Sequence, residues 1–189
     1  RGTEYTFNGM KFIVGYTAFP TLKQAVEVAT NTVYVAAGKY EDNITIDKSN
    51  FTIVGPNSGI NPIQATRLPE AEFTGKITLS AGIEKIAIKG LAFTGTGCLD
   101  TQDSVKGIEI SYNNIYDTNT EVAAWGEGRS QFETVFDFWN NNGVEATDIV
   151  FKYNKFSGVT ETNILFARNT NVTVTNNAFF NFGRDAIRC

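Results

Sequence analysis

The chain repeats itself, and the repeat restricts its possible folds more than any other feature. Five segments align: Asn50 to Gly55 (NFTIVG), Lys85 to Gly95 (KIAIKGLAFTG), Gly107 to Asp117 (GIEISYNNIYD), Asp148 to Gly158 (DIVFKYNKFSG) and Asn171 to Asn181 (NVTVTNNAFFN). The last four share apolar-x-apolar-x-x-small/Asn-x-apolar, with Leu91 standing at the asparagine position of the first of them. Their leading residues Ile86, Ile108, Ile149 and Val172 are separated by 22, 41 and 23 positions. A period near 22 is too short for most helical repeats and suits a coil of three short strands joined by turns. The separation of 41 reads as one coil plus a long loop between about Thr118 and Ser130.

Side chains alternate across a strand, so Ile86 and Ile88, Ile108 and Ile110, Ile149 and Phe151, and Val172 and Val174 face one way. Coils stacked about 4.8 Å apart would place like residues above one another. Phe93, Ile115, Phe156 and Phe179 form a further column. Asn113, Asn154 and Asn177 share a turn position, where stacked amides can hydrogen-bond along the axis as an asparagine ladder. Candidate third strands are Lys76 to Leu79, Thr134 to Phe138 and Asn163 to Phe166, with Ala186 to Cys189 opening another coil.

These features predict an all-β fold: a single-stranded right-handed parallel β-helix, a solenoid, with a short N-terminal capping α-helix and hairpin. One domain is expected over 1–189, the cap at about 1–32 and the coils at about 33–189. Glu4 to Phe7 and Met10 to Val14, joined by Asn8-Gly9, read as a hairpin with a type I′ turn. Thr21 to Ala29 (TLKQAVEVA) reads as an amphipathic helix, with Thr21 as N-cap and Leu22, Ala25, Val26 and Ala29 on its apolar face. A solenoid end exposes strand edges and apolar stacks unless capped. With no C-terminal cap visible in the sequence, the expectation is a longer natural chain with further domains.

Phe19 to Gly55 resembles the opening of pectin-lyase-like proteins: a short helix, a strand (Thr32 to Val35), a Gly-x-Tyr-x-Glu-like turn (Ala37 to Glu41), then strands at Asn43 to Ile46 and Phe51 to Val54. Gly55 to Pro62 and Arg67 to Glu72 resemble a loop of bacterial cell-surface β-helix repeat proteins. The resemblance implies the right-handed β-helix and a secreted or cell-surface location. It transfers no catalytic residues. The paired-aspartate signature of pectin methylesterases is absent, Val135-Phe136-Asp137-Phe138 being a superficial echo. The Gly-His-Gly segment of polygalacturonases is impossible, because the chain has 0 histidines. Pectate-lyase-like Trp-Ile-Asp-His and Arg-x-Pro-x-x-Arg motifs are missing too.

Composition excludes several functions. A chain with 42% hydrophobic and 19% charged residues is globular in character. A net charge of -4 without a basic run argues against nucleic acid and anionic membrane as partners. No apolar stretch reaches the roughly 20 residues of a membrane span. Without histidine there is no His triad and no His metal site, and no cofactor is expected. Aspartates form no Asp-x-Asp cluster for calcium. Cys98 and Cys189 stand three coils apart, about 14 Å, beyond disulfide reach.

The candidate sites are those of a glycan binder. Asp137 is expected outward between inward Phe136 and Phe138, beside Val135 and Trp139. There an aromatic ring packs on a sugar face while the acid bonds hydroxyls. Trp125 and Arg129 sit in the long loop, where binding residues concentrate. Arg168, Arg184, Asp185 and Arg188 would suit an acidic sugar or supply a base for β-elimination, a role in which arginine resists deprotonation and for which Lys152 is an alternative. The leading expectation is a non-catalytic module for adhesion or carbohydrate binding, partnered by a polysaccharide or a host or cell-surface glycan. The alternative is a polysaccharide lyase or glycoside hydrolase, or its N-terminal part.

Overall fold

The computed structural model describes residues 3–7, 9–13, 18–101, 104–118, 133–138, 146–158, 162–165, 170–181 and 186–188. The chain opens with an antiparallel hairpin, β1 (Glu4–Phe7) and β2 (Met10–Ile13). Helix α1 (Leu22–Val28) follows, its N-terminus closed by the Thr21 hydroxyl, which accepts from the Gln24 N–H at 3.2 Å. Leu22 and Val26 are buried and Ala25 and Ala29 pack beside them, so the stripe legible in the sequence faces the core. Beyond Val28 the helix leaves its last carbonyls unpaired within the helix. Lys48 Nζ meets three carbonyls there, those of Val26, Glu27 and Ala29, at 2.8–3.3 Å.

The remaining strands run in circuits of three. The first is β3 (Thr32–Tyr34), β4 (Gly38–Tyr40) and β5 (Ile44–Ile46). The second is β6 (Phe51–Val54), β7 (Ala71–Phe73) and β8 (Lys76–Leu79), and the third is β9 (Glu84–Lys89), β10 (Ala92–Gly95) and β11 (Cys98–Thr101). The fourth is β12 (Lys106–Ser111), β13 (Asn114–Thr118) and β14 (Glu133–Asp137), and the fifth is β15 (Thr147–Lys152), β16 (Lys155–Ser157) and β17 (Thr162–Leu165). The sixth is β18 (Thr170–Thr175), β19 (Ala178–Phe180) and β20 (Ile187–Arg188). Each strand pairs in parallel with the one three before and three after it, so the described strands form three six-stranded parallel sheets besides the hairpin.

The register matches the repeat. Ile86 pairs with Ile108, Ile108 with Ile149 and Ile149 with Val172; Ile88, Ile110, Phe151 and Val174 follow in the next row. In the neighbouring sheet Phe93, Ile115, Phe156 and Phe179 are in line. Ile108 pairs directly with Ile149, so the separation of 41 is one circuit carrying a long excursion between β13 and β14. Inward rings meet edge to face, Phe93 with Phe136 at 5.2 Å and Phe136 with Phe151 at 5.4 Å between centroids. Each fully buried side chain of this size stabilises the stack by about 1.5–3 kcal/mol.

Corners are built from left-handed residues that recur once per circuit. One column holds Asn50, Lys85, Gly107, Asp148 and Asn171, a second Gly90, Tyr112, Tyr153 and Asn176, and a third Asp117, Gly158 and Asn181, all at positive φ. Glycine, asparagine and aspartate tolerate this region best, which explains their frequency at the corners.

After the second column comes the asparagine position. Asn154 Oδ1 accepts from both the N–H and Nδ2 of Asn113, at 3.0 and 3.2 Å, and Asn177 Oδ1 does the same for Asn154, both at 2.9 Å. Each Oδ1 reaches back to the N–H one circuit earlier, beginning with Leu91, which donates to Asn113 at 2.9 Å. The Leu91 side chain carries no amide. In register with it, one circuit earlier, stands Pro56, following Gly55, whose N–H is bonded to Lys89. Proline has no N–H to satisfy, so the ladder has nothing to supply there.

Three local expectations are corrected. Ala37 to Glu41, read as a turn, contains strand β4, which pairs with β7. The stretch read as a loop to Glu72 enters β7 at Ala71. Val135, expected outward, is buried at 1% exposure. Thr134 pairs with Asn163 and Phe136 with Ile164, so Val135 is the extra residue of a β-bulge, and alternation fails at that point.

Candidate functional site

The corner between the β3–β6–β9–β12–β15–β18 sheet and its neighbour carries an exception to the corner rule. Tyr112 and Tyr153 occupy left-handed positions, φ 58 and 55, that Gly90 and Asn176 fill on the flanking circuits. A bulky side chain there costs roughly 1–2 kcal/mol each. The half-buried rings stack on one another, centroids 5.1 Å apart and planes 9° from parallel.

The Tyr112 end of this pair is enclosed. A Cβ on Gly90 would fall 2.0 Å from Ser58 N, so the segment after Gly55 lies directly on that corner. Arg67 pins the segment, donating to the carbonyls of Tyr112 at 2.8 Å and Leu91 at 3.3 Å. Its guanidinium is held by Glu70, which also accepts from buried Asn57 Nδ2 at 2.9 Å. One circuit beyond Tyr153 the same position holds Asn176, whose side chain is exposed and donates to Thr175 Oγ1.

Beside the tyrosines, the last residues of β9, β12 and β15 gather a charged group. Glu109 Oε1 meets Ser111 Oγ at 2.8 Å, Lys89 Nζ at 3.2 Å and Lys152 Nζ at 3.3 Å. Lys89, Ser111 and Lys152 share one row of the register, which sets both ammonium groups on either side of the glutamate. Burial works against ionisation of Glu109. The hydrogen bonds from Ser111, Lys89 and Lys152 and the Lys89 charge outweigh it and hold the carboxyl below its ordinary value. On the adjacent sheet, Tyr116 donates to Glu72 Oε1 at 3.0 Å, and burial, this bond and the charges of Glu72, Glu70 and Asp117 push its phenol up to about 12.

The arrangement can hold a ring against an aromatic face and offer donors from two lysines with one acceptor between them. Among the described residues, no group of three or more carboxylates or cysteines gathers as ligands for a cation. A concavity of about 340 Å³ lies between α1 and β5, but Lys48 in its wall is committed to the helix carbonyls.

Of the residues singled out in the sequence, Trp125, Arg129, Trp139, Arg168, Arg184, Asp185 and Cys189 lie outside the described residues. Asp137 is in β14, in register with Asp100 and Leu165, and its side chain is outside the description; the same holds for Arg188 in β20. Asp100 forms an ion pair with Lys76 at 2.6 Å. Lys152, weighed as a base, is ion-paired with Glu109. Asn113, Asn154 and Asn177 are bonded to one another as described above. Sequence reasoning missed Tyr112, Tyr153, Lys89 and Glu109. A signal was present: two repeats carry Tyr-Asn at the same register, SYNN and KYNK. No protein-family model matches the chain, and no curated protein or solved structure is significantly similar to it.

Proposed function

We propose that the three-sheet stack is a right-handed parallel β-helix serving as a non-catalytic, carbohydrate-binding module of a secreted or cell-surface protein. Handedness follows from the general behaviour of twisted strands, whose parallel crossovers are right-handed in about 98% of cases. One observation carries the binding reading: two tyrosines held in a left-handed corner where neighbouring circuits use glycine and asparagine. Their stack offsets about 0.5–1.5 kcal/mol of a strain of roughly 2–4 kcal/mol for the pair. Strain kept in place by its surroundings concentrates at binding sites. Lys89, Glu109 and Lys152 supply hydroxyl-binding groups within the same face.

A glycan-array screen run alongside reducing-end and unsaturated-product assays tests this. Binding without turnover is the expected result, weakened about tenfold or more by Tyr153→Asn, which keeps the corner conformation and removes the ring. Turnover that vanishes with Asp137→Ala would replace this reading with the polysaccharide-cleaving one, for which the registered Asp100 and Asp137 are the acidic pair to consider.

A further inference from the structure

Lys48 is committed in the concavity between α1 and β5, but the polar groups around it are not. One wall is the flank of α1, where Lys23 and Glu27 stand one turn apart. The other wall is β5 with the residues on either side of it. Ile44 and Ile46 are buried at 3% and 0%, so Asn43, Thr45 and Asp47 alternate outward and line the groove. The Lys23 ammonium, the Glu27 and Asp47 carboxylates and the Thr45 hydroxyl meet no partner among the described residues. Asn43 Oδ1 accepts from Lys76 N–H at 2.8 Å, which leaves its Nδ2 to donate.

The main chain adds a second feature. A parallel strand bonds a neighbour through alternate residues. Ile46 C=O accepts from Ser80 N–H at 2.9 Å, so Ile44 and Ile46 turn their amides to β8. Thr45 turns its N–H and C=O the other way, to the free side of β5 where the concavity lies. Helix α1 bounds that side and buries Leu22 and Val26, so the space is a walled groove of about 340 Å³. Pockets for small ligands begin at about 300 Å³.

We propose that this groove binds one N-acetylhexosamine unit. The acetamido group of such a sugar is a secondary amide, with one N–H and one C=O, and complements the main chain of Thr45. The ring hydroxyls donate to Glu27 and Asp47, which as carboxylates only accept, and they accept from Lys23 and from Asn43 Nδ2. A peptide is the competing occupant and fits less well. It takes specificity from pockets for alternate side chains, whereas the apolar floor of this groove, Val26 and Ile44, is buried at 1% and 3%. A plain hexose lacks the amide that meets both main-chain groups of Thr45. The site shares no residue with the Tyr112–Tyr153 face and stands without it.

Amide NMR spectra of the full chain, titrated with N-acetylglucosamine and N-acetylgalactosamine, test the proposal. Glucose, galactose and N-acetylalanine methylamide are the comparisons. At least one N-acetylhexosamine produces saturable shifts at Thr45 and Asp47, with a dissociation constant on the order of 1 mM and about tenfold tighter than its parent hexose. Glu27→Ala and Asp47→Ala lie at exposed positions where truncation leaves folding intact, and each weakens binding about tenfold. Absence of shifts at Thr45 and Asp47 with both sugars overturns the proposal, as does equal affinity for the parent hexose. Tighter binding of the methylamide overturns it in favour of a peptide. Shifts around Tyr153 alone overturn it and leave the glycan reading standing. Shifts at Thr45 and Asp47 alone support it whatever the glycan array shows.

Discussion

Replacing Asn154 by alanine removes four hydrogen bonds at once from a site with 0% exposure. Asn154 Oδ1 accepts from Asn113 N–H and Nδ2; Asn154 Nδ2 donates to Ile110 O at 2.8 Å and to Asn177 Oδ1 at 2.9 Å. Asn113 Nδ2 keeps its bond to Ile88 O, but the buried Asn113 N–H loses its acceptor outright. An orphaned buried donor costs about 1–3 kcal/mol, and each remaining bond about 0.5–1.5 kcal/mol. The total is about 2.5–7.5 kcal/mol. Asn177→Ala is the internal control. It removes the same kinds of bonds at a half-buried position where water can replace the lost partners, so about 1–2 kcal/mol is expected. Urea denaturation followed by circular dichroism reads both, the midpoint falling without a change in slope. Should Asn154→Ala cost no more than Asn177→Ala, the ladder is an ornament of the turn and the argument for it fails.

Other expectations follow from the corners and the charged groups. Gly90→Ala destabilises by more than about 2 kcal/mol, because the new Cβ meets Ser58 backbone at 2.0 Å as well as a left-handed φ of 70. Gly107→Asn, at φ 68 with its nearest neighbour 3.5 Å away and Asp148 and Asn171 in the same column, changes the midpoint by less than about 1 kcal/mol. Because the folded Glu109 carboxyl titrates below its ordinary value of 4.5, its contribution is complete above that pH and lost as the pH falls through the lower folded value. Glu109→Gln therefore flattens the acid limb of stability in midpoints measured from pH 6 down to 3. For Tyr116 the sign reverses. Its folded pKa of about 12 lies above 10.0, so its contribution holds below pH 10 and fades between pH 10 and 12. The difference in phenolate absorbance between the native protein and Tyr116→Phe places that titration, and Glu72→Gln moves it down.

Much of the stack was legible because two spacings constrain it together. Side chains alternate with period two along a strand, and one circuit takes about 22 residues. Ile86, Ile108, Ile149 and Val172 can then share a column only in one register, the one observed. The same logic located Asn113, Asn154 and Asn177 and the apolar stripe of α1. It failed at Val135, where a bulge breaks the alternation, and at Gly38–Tyr40, where three polar-looking residues form a strand because β7 offers them a partner.

The candidate face shows the division most clearly. Which residues recur once per circuit, and hence which lie in line, is written in the amino-acid order alone, because a covalent chain that returns to the same sheet must return in step. What those residues do to one another depends on the neighbouring circuit and on the segment lying across it. Tyr112 and Tyr153 are 41 positions apart and stack only because their circuits are adjacent. Glu109 draws its two lysines from the circuits on either side, and Arg67 comes from a distant excursion to pin the corner. Contacts of this kind are set by through-space packing and electrostatics between strands, so the tertiary structure alone decided them.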